Sequence, residues 1–274
     1  MNAHDDMSGY KDIICTKVLN TRGHLDRTNC VISIDEINKH IDDGNVRVIC
    51  PEPLVFIIDY GRFKQLYYCL NDGTEESIKH EVIENLDEYD DLYLDITLND
   101  RMQESTAFIN KLGFNHYKTY LKLDFKYVSC EKDNTDPITH AQEEDVSKVV
   151  EMFDYSFNAM CDHIPTKDEI IDFIRNRNIY AEHISGELAG VLLFENTGVR
   201  SYLRCLCVAQ EHRGKGVGQK LVEKYLSDQG KCAKYFYLWV DEENESAVKL
   251  YNRFGYTYSK VKNHIFIRQG KRKE

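Results

Sequence analysis

Apolar residues in the second half of the chain follow the spacing of helices in some stretches and of strands in others. Residues 144–156 and 165–174 have apolar positions three and four apart, which predicts amphipathic helices. Shorter apolar runs predict strands at 138–142, 180–184, 188–194, 201–208 and 235–240. Two further helices are predicted at 219–226 and 246–254. A terminal hairpin is predicted from strands at 257–261 and 264–268. Alternating strands and helices predict an α/β domain, with a mixed sheet and helices on both faces.

The first half of the chain repeats part of this order. The stretch 108–114 resembles 250–256, and each follows a predicted strand. Upstream, residues 54–70 resemble residues 188–208, each with a glycine turn in the middle. Three matched segments in one order favour a tandem repeat of one fold over chance similarity of short helix ends. The polar stretch 131–137 is the predicted linker, so the predicted domains are residues 1–130 and 136–274.

Size and charge narrow the classes of function. The chain has 274 residues, enough for two domains, and 35 basic against 46 acidic residues give a net charge of −11. This charge argues against a nucleic-acid partner, and the basic tail 268–273 is expected to be solvated. No apolar run approaches the ~20 residues of a membrane helix. The N-terminus is polar and acidic, so we expect a cytoplasmic protein without a membrane partner.

The nine cysteines lack C-x-x-C pairs and the spacing of zinc ligands, which predicts reduced thiols and no metal site.

A glycine loop, Arg213-Gly214-Lys215-Gly216-Val217-Gly218, lies between a predicted strand and a predicted helix. This order directs free backbone N–H groups toward a phosphate. A nucleotide P-loop would need Ser or Thr after Gly-Lys, but Gly216 stands there. A dinucleotide fingerprint would need a small residue at Gln219. A plain helix start is the remaining structural alternative, although three glycines are costly for that purpose alone.

The loop resembles the acetyl-CoA signature of the GCN5-related N-acetyltransferase (GNAT) family, Q/R-x-x-G-x-G/A, through Arg213, Gly216 and Gly218. Residues 244–251 and 254–256 resemble the later strand–helix pattern of the same family, and the resemblance covers about residues 136–268. It implies the GNAT fold in two tandem copies, with acetyl-CoA as co-substrate. It also implies that the strand before the loop diverges from the next strand, and that pantetheine runs between them.

The resemblance implies roles for individual residues. The cofactor-binding set would be Leu206, Cys207, Val208, Arg213, Gly214, Lys215, Gly216, Val217, Gly218 and Asn244. Tyr251 would be the general acid that protonates the departing thiolate, since a tyrosine with a pKa of ~10 keeps its proton at neutral pH. Structural alternatives stay open, because Tyr251 also fits an apolar helix stripe and Asn244 also fits a helix N-cap.

The general base stays open. The candidates are Glu182, Glu195, Asp162 and His163, each of which is commonly a solvated residue. Many family members have a glutamate on the strand before the loop, where this chain has Arg204, so deprotonation through water is the other route. Residues 158–165 are the expected lining of the acceptor pocket, and equally a plain connector.

The first half lacks the features that the second half carries. Residues 71–76 hold three carboxylates and one glycine where the loop would be, and Ile109 stands at the position of Tyr251. We therefore expect a degenerate copy that neither binds acetyl-CoA nor catalyses, and that caps the acceptor site or forms a homodimer interface. The predicted function is direct transfer of acetyl to a primary amine of a small molecule or peptide. The alternatives are a non-catalytic acyl-CoA-binding regulatory module and a protein-interaction scaffold.

Overall fold

A computed structural model describes residues 7–24, 27–70, 80–99, 106–127, 138–159 and 161–270. The chain forms two units. The N-terminal unit takes Met1–Thr119 and Val261–Glu274, and the C-terminal unit takes Tyr120–Lys260. This division differs from the predicted boundary, because residues 120–127 belong with the second half of the chain and residues 261–270 with the first. The predicted linker 131–137 lies outside the described residues.

The N-terminal unit has a mixed sheet with helices on both faces. Its elements in chain order are α1 (Met7–Thr21), α2 (Ile34–Asp42), β1 (Val46–Pro51), β2 (Leu54–Asp59), β3 (Lys64–Cys69), α3 (His80–Leu86), β4 (Leu92–Asn99), α4 (Thr106–Lys111) and the start of β5 (Asn115–Lys126). Strands β2 and β3 form the predicted antiparallel hairpin, and β4 lies parallel to β3. One apolar cluster packs under α1 and α2, and another involves α3 and α4.

The C-terminal unit repeats this order. Its elements are the rest of β5, β6 (Thr139–His140), α5 (Val146–Ser156), α6 (Lys167–Arg175), β7 (Ile179–Ile184), β8 (Glu187–Thr197), β9 (Arg200–Val208), α7 (Val217–Gln229), β10 (Tyr235–Asp241) and α8 (Glu245–Arg253). The strand order is β5-β10-β9-β8-β7-β6, with only the β9–β10 pair parallel among these described strands. Helices α5 and α6 share one core cluster, and α7 and α8 share another. The predicted helices are confirmed, and the predicted strands 180–184 and 188–194 form a hairpin across Ser185-Gly186.

The last strand differs from its prediction. The expected hairpin of 257–261 and 264–268 is wrong, because β11 (Thr257–Arg268) is one strand. No glycine or proline interrupts residues 257–268, and Val261 to Arg268 pair without a break against Asn99 to Leu92 of β4. Within the C-terminal unit, β5 pairs with β10 from Tyr120 to Lys126. The strands that follow α4 and α8 are therefore exchanged between the two halves of the sequence.

The C-terminal tail is partly buried. Arg268, expected to be solvated, is only 6% exposed. Its guanidinium donates hydrogen bonds to Leu86 O at 2.9 Å and Leu112 O at 3.0 Å, and it pairs with Asp87. These carbonyls lie at the C-terminal ends of α3 and α4, where helix carbonyls lack partners within the helix. The expectation of a solvated tail is thus wrong for its first residue.

Gly190 on β8 sets how closely α7 approaches the sheet. A Cβ atom there would lie 2.6 Å from Val217 Cγ1, 3.0 Å from Leu221 Cδ1 and 3.2 Å from Cys207 O. We therefore expect Gly190→Ala to lower the free energy of unfolding by roughly 1–3 kcal/mol, because the added methyl overpacks the core. Urea denaturation measures this. Gly9→Ala is the control, since its Cβ meets nothing within 4 Å and it should not destabilise. If Gly190→Ala is as stable as the wild type, α7 moves away from the sheet without a cost in free energy.

Candidate active site

The glycine loop has the geometry that the strand–loop–helix pattern predicts. Strand β9 ends at Val208, a short 3-10 turn covers Gln210–His212, and α7 begins at Val217. Gly214 and Gly216 have φ of +74° and +85°, backbone angles that residues with a Cβ atom rarely adopt. Gly216 occupies the N-cap position of α7, and no side chain caps the helix there. The first N–H groups of α7 are therefore available to an anion.

A cavity of about 820 Å³ opens beside this loop. It is lined by nine residues of the predicted cofactor set: Leu206, Cys207, Val208, Arg213, Gly214, Gly216, Val217, Gly218 and Asn244. Lys215 and Tyr251 are not among its lining residues. At Gly218 an added Cβ would lie 3.6–3.9 Å from its neighbours, so the absence of a side chain there widens the cavity and relieves no clash.

Sequence reasoning missed several lining residues. The further lining residues are Ser156, Phe157, His212, Gln219, Ser246, Ala247, Lys249, Leu250 and Arg253. Lys249 and Arg253 lie four residues apart on α8, and this spacing places them on one face of the helix. With Arg213 they give the cavity three cationic residues in a chain of net charge −11. The four-residue spacing of Lys249 and Arg253 is the feature of the sequence from which these two lining residues could have been predicted.

Strand β9 diverges from β10 next to the cavity. Their parallel pairing runs from Arg200 and Tyr235 to Leu203 and Leu238 and extends no further among the described residues. At the same point β9 has a bulge against β8, because Leu203 and Cys205 face consecutive residues of β8 and Arg204 faces none. Beyond the bulge, residues 205–208 have an edge that β10 does not pair. The expected divergence is thus present, and it leaves backbone hydrogen-bonding groups for a ligand.

Tyr251 is buried in α8. Its ring lies 5.8 Å from the Tyr256 ring, and only 5% of the residue is exposed. Its hydroxyl forms no hydrogen bond with another described residue. Burial raises the pKa of Tyr251 above its usual range, and the nearby Cys205 thiol adds to the increase. Tyr251 is therefore both a core residue and a protonated hydroxyl available as a donor.

Asn244 caps α8 and lines the cavity. Its side-chain oxygen accepts hydrogen bonds from Ala247 N at 3.1 Å and from Ser246 Oγ at 2.9 Å. The N-cap interpretation is confirmed. Because Asn244 also lies on the cavity wall, this role does not prevent contact with a ligand.

A family model matches the part of the chain that surrounds the cavity. Residues 147–256, which contain the loop, the divergent strand and α8, match the model of the family described as "Acetyltransferase (GNAT) family". This segment of the chain is similar to GNAT acetyltransferases.

Curated proteins match the chain over part of their length. It is 28% identical over 88 residues to a spermine/spermidine N(1)-acetyltransferase of Bacillus subtilis strain 168, an alignment covering 28% of this chain and 57% of that protein. A probable spermine N(1)-acetyltransferase of B. subtilis subsp. natto matches to the same extent. The chain thus spans a little over half the length of these curated relatives.

Solved structures resemble both halves of the chain. A GCN5-related N-acetyltransferase from Sphaerobacter thermophilus has a TM-score of 0.62 at 12% identity, over 88% of each chain. A tandem GNAT protein from the clavulanic acid biosynthesis pathway has a TM-score of 0.57 at 11% identity, over 100% of this chain and 98% of the other. At such identities the likeness shows the fold alone, which is the predicted GNAT fold.

The four candidate bases have other partners within the protein. Glu182 is buried and pairs with Lys220 at 3.1 Å, and Glu195 accepts a hydrogen bond from Arg204 at 2.9 Å. Asp162 accepts from the Tyr120 hydroxyl, and the His163 carbonyl accepts from Arg204. None of the four candidates lines the cavity. The geometry therefore does not assign a general base at the cavity.

Several sequence expectations concern features outside the cavity. Ile109 is fully buried in the N-terminal unit, whereas the acidic segment 71–76 lies outside the described residues.

Within the part of the chain that the structure describes, no group of three His, Cys, Asp or Glu side chains is arranged to hold a metal ion. Among the described helices, none has the length and apolar character needed to cross a membrane. Cys205 and Cys207 are free and buried, as expected of small hydrophobic residues.

Proposed function

We propose that this protein is an N-acetyltransferase that moves the acetyl group of acetyl-CoA directly to a primary amine. One observation carries the proposal: the uncapped start of α7, with two left-handed glycines before it, opens onto a cavity next to the divergent strand β9. Three properties of acetyl-CoA match this arrangement, namely phosphates, a long amide-bearing arm and a thioester at its end.

The charges and backbone of the cavity support this donor. The helix N-terminus and Arg213, Lys249 and Arg253 are suited to phosphate groups. Arg213 Nε donates to Val208 O at 3.1 Å, which holds this side chain against the end of β9. Lys215 belongs to the same loop and adds a further cation. The unpaired edge of residues 205–208 is suited to the amides of pantetheine, with Leu206, Cys207 and Val208 as the binding backbone.

The proposed reaction needs one nucleophile and one acid. The neutral acceptor amine attacks the thioester carbonyl carbon, an N–C bond forms, and the C–S bond breaks. The proton of the Tyr251 hydroxyl goes to the departing sulfur, and the excess proton of the amine leaves through water. Positioning of the amine against the thioester supplies much of the rate.

A small cationic amine is the acceptor that we propose to test first. The curated relatives are named as spermine or spermidine acetyltransferases, and the chain carries a net charge of −11. The experiment is a screen of amines with acetyl-CoA that measures released coenzyme A. Spermidine is included in the panel. No amine-dependent release from folded protein that binds acetyl-CoA would reject the enzyme proposal.

A second candidate function is a non-catalytic acyl-CoA-binding module. The observation that favours it is that Tyr251 does not line the cavity. Such a module would bind acetyl-CoA but release no coenzyme A with any acceptor, so the same screen separates the two. Under either function we propose that the N-terminal unit, with Ile109 in place of the tyrosine, does not catalyse.

Two glycines offer a matched pair for testing the donor site. Gly216 and Gly186 both have φ of +85°, and an added Cβ would meet nothing within 4 Å at either. We expect alanine at each to lower stability by about 1 kcal/mol, because the left-handed backbone disfavours a Cβ. Only Gly216→Ala should weaken acetyl-CoA binding, by at least tenfold in calorimetric titration, since Gly186 lies in the β7–β8 turn. Equal affinities of the two variants would contradict a phosphate site at the loop.

A further inference from the structure

The loop between α5 and α6, residues 157–166, is tied to two strands. The Tyr120 hydroxyl on β5 donates to Asp162 Oδ1 at 2.6 Å, and Asn158 N donates to Asp162 Oδ2 at 2.7 Å. On the other side, Arg204 Nη2 donates to the His163 carbonyl at 2.8 Å. Asp162 is thus the point at which this loop joins β5.

Both attachment points border the gap between β9 and β10. Tyr120 faces Asp241 at the end of β10, and Arg204 is the bulge residue at which β9 leaves β10. Cys205 follows the bulge, and the Asp162 charge adds to the effect of burial in raising the pKa of its thiol. Asp162 therefore lies near the same gap as the buried Tyr251 hydroxyl, which has no hydrogen-bond partner among the described residues.

The charge of Asp162 is not neutralised by the protein that surrounds it. Asp162 is half-buried and forms no ion pair with any described residue. Arg204, the cation attached to the same loop, is paired with Glu195 at 2.9 Å. Burial and the Asp162 charge raise the pKa of Tyr120, so its hydroxyl stays a donor to the carboxylate. Each carboxylate oxygen has a second lone pair, which leaves Asp162 able to accept hydrogen bonds from a cation.

We propose that Asp162, oriented by Tyr120, binds the ammonium group of an aliphatic polyamine acceptor at the gap between β9 and β10. This inference rests on the proposed acetyl transfer. The acceptor binds as R–NH3⁺, loses one proton to water, and then attacks the thioester as R–NH2. Asp162 contacts the substrate, and Tyr120 is a positioning residue that acts through Asp162.

The exchange of strands gives this inference a consequence for the first half of the chain. Tyr120 belongs to β5, which follows α4 in sequence yet pairs with β10. A fragment of residues 136–274 would keep the glycine loop and Tyr251 but lose Tyr120. The first half of the sequence thus supplies a side chain that holds the acceptor-binding carboxylate.

The test is a calorimetric titration of spermidine into full-length protein saturated with coenzyme A at pH 7. We expect Asp162→Asn to weaken spermidine binding at least tenfold and Tyr120→Phe to weaken it about threefold to tenfold. Asp172→Asn, on the exposed face of α6, is the matched control and should bind like the wild type. The affinity for coenzyme A should be the same in all four proteins, a result that general damage to the fold would not produce.

The outcomes separate this inference from the proposed function. Spermidine affinity unchanged by both Asp162→Asn and Tyr120→Phe, or wild-type protein that binds coenzyme A but no spermidine, would overturn the role of Asp162. Loss of coenzyme A binding by the wild type would instead reject the proposed donor site. If Asp162→Asn fails to fold, Tyr120→Phe decides, because it removes one hydrogen bond and leaves the bond from Asn158 to Asp162 in place.

Discussion

Replacing Tyr251 with phenylalanine is expected to reduce kcat by about 10²- to 10⁴-fold, the usual effect of removing a positioned general acid. The substitution removes one hydroxyl from a ring that otherwise packs in the core against Tyr256. Because the hydroxyl forms no hydrogen bond within the described structure, stability should hardly change. The affinity for acetyl-CoA should also be retained, since Tyr251 does not line the cavity.

Steady-state kinetics with the best amine of the acceptor screen measure this effect, and calorimetry measures acetyl-CoA affinity. Tyr256→Phe is the matched control, because it removes the hydroxyl of the neighbouring buried tyrosine. It should leave kcat within a few-fold of the wild type. Turnover by Tyr251→Phe equal to that of the control would remove Tyr251 from the mechanism and favour protonation of the thiolate by water.

The pH dependence follows from the raised pKa of Tyr251. Burial holds that pKa above the ordinary value of about 10, so the folded protein keeps this proton at pH values where the unfolded chain loses it. The stability contributed by the protonated hydroxyl is therefore complete below pH 10 and is lost as the pH rises further. Activity should show no decline from Tyr251 ionisation below about pH 10.

Local patterns in the sequence predicted the loop and its helix well. Gly214 and Gly216 have left-handed backbone in the turn between the 3-10 segment Gln210–His212 and the start of α7, and glycine adopts this conformation at least cost. The hairpins around Gly61, Gly186 and Gly198 follow from the same rule, since each of these glycines also has a positive φ. Backbone requirements of this kind are met within a few residues, so a single sequence reveals them.

The exchanged strands could not be predicted in the same way. Strands β5 and β11 both follow a short helix. The residues near each strand do not indicate whether it pairs with β4 or with β10. Long-range pairing decides that β5 lies against β10 and β11 against β4. The contact between Tyr120 and Asp162 could not be predicted for the same reason, because the two residues are 42 residues apart in sequence. Contacts between distant segments, and not propensity, determine this part of the site.

Arg268 shows how a polar residue at the end of a chain can become part of a core. Its guanidinium satisfies Leu86 O and Leu112 O and pairs with Asp87, and its side chain is 8% exposed. We expect Arg268→Met to lower the free energy of unfolding of the N-terminal unit by about 3–5 kcal/mol, because it leaves a partly buried carboxylate and two helix ends without their cation. Thermal and urea denaturation measure the change.

Arg47 provides the control within the same unit. It forms a surface ion pair with Glu88 at 3.5 Å, and its side chain is 60% exposed. Arg47→Met should change stability by less than about 1 kcal/mol, because solvent screens exposed pairs. Equal effects of the two substitutions would mean that Arg268 contributes only as a surface charge. A large effect of Arg268→Met alone would mean that strand β11, which follows α8 in sequence, stabilises the N-terminal unit through one buried cation.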